Sequence, residues 1–166
     1  MPRDLFLRHI DLDLCYPPFL DKLLEAKAAA KARGAQYITT ELFRSMDRSD
    51  ALYILYKKGG NRAAAAGFSG HNFGIASDEA LIVKPGPPRE VRFDKDSYKI
   101  LYEELAKVGL TNGSGYHDYP HVEIPGFVTA DELKPLRDVW YSAPLDDQKT
   151  RLQKVWRYLD SCVTFG

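Results

Sequence analysis

Two short segments of the chain hold residue types that bind metals and move protons. In the first, Ser69-Gly70-His71-Asn72-Phe73-Gly74-Ile75-Ala76-Ser77-Asp78, a histidine stands seven residues before an aspartate among small neighbours. Small side chains let a ligand approach the backbone, and imidazole with carboxylate is a donor pair suited to zinc. The second segment is His117-Asp118-Tyr119-Pro120-His121-Val122-Glu123. Pro120 biases Tyr119 away from helix, so Asp118 and His121 lie in an extended or turn-like stretch. A carboxylate just ahead of a metal-binding histidine can reach a metal-held water without being a ligand itself. Three protein donors, one open position and a nearby base are what zinc-assisted hydrolysis requires. A histidine taken alone is more ordinarily a surface or hydrogen-bonded core residue. Of His9, His71, His117 and His121, context singles out His71 and His121.

The elements that must position these segments follow from periodicity. Pro17 and Pro18 suit the start of a helix over 18–33, with Leu20, Leu23 and Leu24 as its stripe and Gly34 as its stop. Tyr37 to Thr40 reads as a short strand, and 49–58 as a helix ended by Gly59, Gly60 and Asn61. Residues 73–83 suit one strand or a hairpin, and Pro85, Gly86, Pro87 and Pro88 form a loop. Tyr98, Leu101, Tyr102 and Leu105 repeat at helical spacing up to Gly109. A glycine-rich loop over 111–115 then leads to a strand at 121–124, and two helical patterns follow, the second over about 146–159. Helices and short strands mix without regular alternation, so the expected class is α+β.

Composition excludes several classes of protein. At 166 residues the chain suits one core. Lys plus Arg and Asp plus Glu are 23 each, so the basic excess that phosphate binding calls for is missing and no nucleic-acid partner is expected. No apolar stretch is long enough to insert in a membrane. Cys15 and Cys162 are too few for a disulfide framework or a four-cysteine zinc site; they read as free thiols, with a bridge tying the termini as the alternative. Asp4, Arg8, Asp11 and Asp13 interrupt the apolar run a signal peptide needs, so synthesis and retention in the cytoplasm are expected.

The two segments together resemble the zinc D-alanyl-D-alanine carboxypeptidase/VanY-like peptidases, and most closely their phage L-alanyl-D-glutamate endopeptidase branch. Ser69, His71, Gly74, Ala76 and Asp78 fall in register with that family's S-x-H-x-x-G-x-A-x-D, and Asp118 and His121 with its D/E-x-x-H. The likeness extends upstream through Tyr16 to Phe19, Thr39 to Ser45 and Ala51 to Tyr53, covering roughly 16–124. Four positions depart from the pattern: Phe43 where a tyrosine is usual, Ser49 where a glutamine is usual, Glu79 directly after the aspartate, and Tyr116 or His117 in place of a tryptophan.

The resemblance implies a hedgehog/DD-peptidase-like fold, a small antiparallel sheet flanked by helices. It implies Zn2+ held by His71, Asp78 and His121, Asp118 as general base, Arg44 facing the scissile carbonyl, and Ser69 and Ser49 lining the cleft. The substrate implied is the bacterial peptidoglycan stem peptide, cut at L-Ala-D-Glu by a monomeric enzyme. An aspartate at the base position favours that bond over D-Ala-D-Ala, the alternative. An intact Asp118 argues against a non-catalytic wall-binding module. A phage lysin would wait in the host cytoplasm for holin-mediated release. The expected division is a catalytic core over 1–127 and a helical C-terminal extension over 128–166, packed on the core as one domain or serving as a targeting appendage.

Overall fold

The computed structural model of the protein describes residues 10–165; Asp4, Arg8 and His9 lie outside the described residues. Among the described residues, five α-helices and five strands follow one another, joined by loops and short 3-10 turns. They are α1 (Pro17–Ala32), β1 (Tyr37–Glu41), α2 (Met46–Lys57), β2 (Ala76–Lys84), β3 (Glu90–Arg92), α3 (Lys99–Lys107), β4 (Thr111–Gly113), β5 (Asp118–Glu123), α4 (Lys134–Tyr141) and α5 (Gln148–Cys162). The class is α+β, as expected. The sheet runs β1-β2-β5-β4 with β3 also paired to β2, and every pairing is antiparallel.

Alternation along β2 sorts two acidic neighbours to opposite faces. Asp78 is the cross-strand partner of His121 on one side and of Glu41 on the other, so these three side chains share one face. Glu79 points the other way, toward α1. There it is fully buried, 2.7 Å from Lys27 Nζ and 2.8 Å from Thr39 Oγ1. Burial raises the Glu79 pKa, and Lys27 and Thr39 oppose the rise. The charge beside Asp78 is thus a buried partner for α1 and leaves the other face untouched.

Helix α1 buries Phe19, Leu23, Ala26 and Ala30, spaced as one helical face, with prolines in its first turn. Leu24, expected in that stripe, is half exposed. Arg33 at the end of α1 reaches Glu103 and Glu104 of α3 at 2.6 and 2.5 Å. Tyr98 and Tyr102, before and within α3, donate to the carbonyls of Glu79 and Tyr119. Leu136 and Trp140 of α4 and Leu152, Val155 and Leu159 of α5 are buried in the same apolar cluster as Phe19, Phe73 and Leu101.

Several boundaries differ from expectation. Helix α2 begins at Met46, because the Ser45 hydroxyl accepts from Arg48 N and caps the helix three residues early. Phe73 lies in a 3-10 turn, so β2 starts only at Ala76. Residues 111–113 form a strand rather than loop. Cys15 is buried and Cys162 exposed, both unbridged. No helix among the described residues is long and apolar enough to cross a membrane.

Candidate metal centre

His71, Asp78 and His121 are brought together, each offering one donor atom, with all three atoms within 4.8 Å of one another. Asp78 and His121 meet because β2 and β5 place them opposite each other. His71 arrives from a 3-10 turn over Gly70–Phe73, capped by the Ser69 hydroxyl, which accepts from His71 N. Ser69 is half-buried, and its hydroxyl serves as this cap.

The outer nitrogen of each imidazole is already occupied, and that settles which atoms face inward. His71 Nδ1 lies 2.6 Å from the carbonyl of Leu42, which only accepts, so Nδ1 carries the proton and Nε2 is left with its lone pair. His121 Nε2 lies 2.9 Å from Glu123 Oε2, which leaves Nδ1 for the inner side. Asp78 Oδ1 is 3.3 Å from His71 Nε2 and 3.2 Å from His121 Nδ1. His71 Nε2, Asp78 Oδ1 and His121 Nδ1 thus converge on one point. Zinc with donor bonds of about 2.0–2.1 Å in a tetrahedron needs donor atoms about 3.4 Å apart. The donor set fits.

The electrostatics point the same way. Burial alone would raise the Asp78 pKa, but the two histidines hold it well below the usual carboxylate range. Burial lowers the His121 pKa; hydrogen bonds to Asp78 and Glu123 outweigh it and bring it up to about 10. The cluster therefore favours a positive charge at its centre, supplied by protons or by a cation.

Asp118 sits at the start of β5, at the exposed rim of the site. Gly113 pairs with it, and a Cβ there would come within 2.2 Å of Asp118 O and 3.0 Å of His121 Cβ, so only glycine lets β4 close over this corner. His117, just before it, takes a left-handed φ of 63° to make the turn. Burial raises the Asp118 pKa; nearby His121 lowers it and Asp78 raises it. Among the described residues, no hydrogen bond ties its carboxylate.

Arg44 is half-buried. Its Nε pairs with Glu41, and its backbone N donates to His71 O at 2.9 Å. Glu41 also accepts from Arg48 at 2.9 Å, and His71 with both arginines keeps its carboxylate ionised against burial. Ser49 is the one correction to the expected site. It has no exposed surface, and its Oγ accepts from Asn72 Nδ2 at 2.8 Å, so it supports the site from beneath and does not line a cleft.

Two residues that sequence reasoning gave no role, or a different one, hold the site together. Asn72 donates also to Arg44 O at 2.8 Å and accepts from Gly67 N at 3.1 Å, locking the His71 turn to the start of α2. Glu123 orients His121 and accepts from the Tyr116 hydroxyl at 2.6 Å. The signal for Glu123 was present: residues two apart on a strand share a face.

A small antiparallel sheet bearing a His–Asp–His donor set on one face, with the Asp118 carboxylate at its rim, has the parts that a single-metal hydrolytic centre requires. The chain is 34% identical over 110 residues to the peptidoglycan L-alanyl-D-glutamate endopeptidase CwlK of Bacillus subtilis, covering 59% of this chain and 66% of that protein, just under two thirds of its length. Among solved structures, the Serratia marcescens L-Ala D-Glu endopeptidase ChiX matches with a TM-score of 0.46 at 17% identity, over 75% of this chain and 95% of that one. No family model matches the chain. The likeness to CwlK and the His71–Asp78–His121 donor set agree with the resemblance to the VanY-like zinc peptidases.

Proposed function

We propose that the protein is a zinc-dependent peptidoglycan hydrolase of the phage-lysin type that cuts the L-Ala-D-Glu bond of stem peptides. The observation that carries this is the pairing of the three-donor set with Asp118, a carboxylate three residues from His121 whose pKa is raised and whose oxygens are uncommitted. CwlK, by name, acts on the same bond. Membership of the phage branch rests on the sequence motifs alone.

His71 Nε2, Asp78 Oδ1 and His121 Nδ1 are the atoms that would hold the metal. Bound there, zinc supplies a water acidified toward neutral pH and a Lewis acid for the scissile carbonyl. Asp118 takes the water's proton as the amide carbonyl is attacked and passes it to the departing D-Glu nitrogen. A carboxyl with a raised pKa does both jobs better than an ordinary one. Arg44 places a guanidinium where negative charge develops on the carbonyl oxygen, held in pose by Glu41.

The alternative within the family is D-Ala-D-Ala carboxypeptidase activity. A matched pair of soluble muropeptides separates the two readings. The tetrapeptide, which lacks the terminal D-Ala-D-Ala bond, should be cut about as fast as the pentapeptide. Release of D-alanine from the pentapeptide with an intact tetrapeptide would favour the alternative.

A further inference from the structure

The loop over 67–74 carries His71, yet a four-residue 3-10 turn has little stability of its own and takes its shape from what grips it. From inside, the grip is dense. Asn72 bonds to Arg44 O, Ser49 Oγ and Gly67 N, and His71 Nδ1 bonds to Leu42 O. Gly74 is left-handed at φ 69°, and a Cβ on it would meet Leu14 O at 2.3 Å, so the loop closes hard against 14–15. Its two ends are held by the C-terminal helices. Arg137 of α4 donates to Gly67 O at 3.2 Å and lays its guanidinium over the Phe68 ring at 4.1 Å. Trp156 of α5 donates its indole N–H to Phe73 O at 2.9 Å, and Trp140 of α4 meets the Phe73 ring edge-on at 6.3 Å. Asp160 of α5 accepts at 2.7 Å from the hydroxyl of Tyr16, the residue whose backbone N bonds to Gly74 O.

We propose that the C-terminal helices serve the metal centre: α4 and α5 clamp both ends of the His71 loop, and Arg137 and Trp156 are positioning residues for His71. This rests on the proposed metal reading of His71, Asp78 and His121. The physical case is one of tolerance. His71 Nε2 lies 3.3 Å from Asp78 Oδ1 with no covalent link nearer than the loop itself, so slack in the loop translates directly into a misplaced donor. The same contacts take up the apolar side of α5, whose Leu152, Val155 and Leu159 are fully buried and whose Trp156 N–H is committed inward. That commits Trp156 to the fold and leaves Tyr158 as the exposed aromatic of α5.

The test compares zinc retention with fold stability in the full chain. Arg137→Met, Trp156→Phe and the double variant are loaded with zinc, and release to a colorimetric chelator is followed, alongside thermal melts of the zinc-free proteins. Arg33→Met, which breaks the pairing to Glu103 and Glu104 on the far side of the fold, is the control for generic loosening. The double variant should release zinc about 10-fold faster than wild type, the lower end for partners outside the ligand set. Arg33→Met should release it at the wild-type rate for a comparable loss in melting temperature. Equal release by the double variant and wild type, or equal acceleration by Arg33→Met, would overturn the proposal. Trp156→Phe alone, which keeps an aromatic ring at the position while removing the N–H and part of the ring, carries the test if the double variant does not fold. A wild-type protein that takes up no zinc refutes the metal reading itself, and is told apart because it shows before any variant is compared.

Discussion

Asp118→Asn is expected to keep its zinc and its fold while losing about 10²- to 10⁴-fold in peptidoglycan hydrolysis, the usual contribution of a general base. The amide is nearly the same size as the carboxylate and sits at an exposed rim with no hydrogen bond to lose. It cannot accept a proton near neutral pH. Metal content by elemental analysis and turnover on a soluble muropeptide, measured on the same preparation, separate the two effects. Near-normal turnover would move the base elsewhere. Glu123, the neighbouring carboxylate in the motif, is not free to take over: Oε2 is engaged by His121 and Oε1 by Tyr116.

His71→Ala should lose both metal and activity. Removing a donor outright has to cost more than removing its supporting partner, so zinc affinity should fall by more than about 100-fold. The loss is not a folding defect in disguise if the zinc-free variant melts near zinc-free wild type, since the His71 turn keeps its other anchors through Asn72. Equilibrium dialysis against a zinc buffer checks it. Equal zinc content in variant and wild type would remove His71 from the donor set.

The chemistry of the site was legible in the sequence because it depends on residue types at fixed spacings. His71, Asp78, Asp118 and His121 are read from two short windows, and the structure brings the three expected donors together. The way they meet was not legible. Asp78 stands opposite His121 only through the register of β2 on β5, a tertiary fact that neither segment contains. Strands as short as β3 and β4 lie below what alternation can reveal, and Gly113 reads as loop until its pairing with Asp118 is seen. Ser49 looked like a cleft residue by register with a glutamine. Its side chain is too short to reach past Asn72, so it turns inward to satisfy that amide. Glu79 stood out as a charge beside a ligand. Period-two alternation sends it to the opposite face, and Lys27, more than fifty residues away in the chain, makes its burial tolerable.

The C-terminal helices show the same limit from the other side. Their stripes were readable, with Leu152, Val155 and Leu159 at helical spacing, and all three are buried. What the stripes serve was not, because the contacts that matter are single polar reaches, Arg137 to Gly67 O and Trp156 to Phe73 O, across 70 and 83 residues of sequence.

The most direct measurement is the identity of the bond cut in intact sacculi. Peptidoglycan digested with the full chain, with and without a zinc chelator, is labelled at its new amino termini and the fragments are resolved by mass spectrometry. A D-glutamate amino terminus that forms with zinc and disappears with chelator is the predicted result. Free D-alanine with no new D-glutamate terminus, or cleavage that persists undiminished after the metal is stripped, would contradict the account.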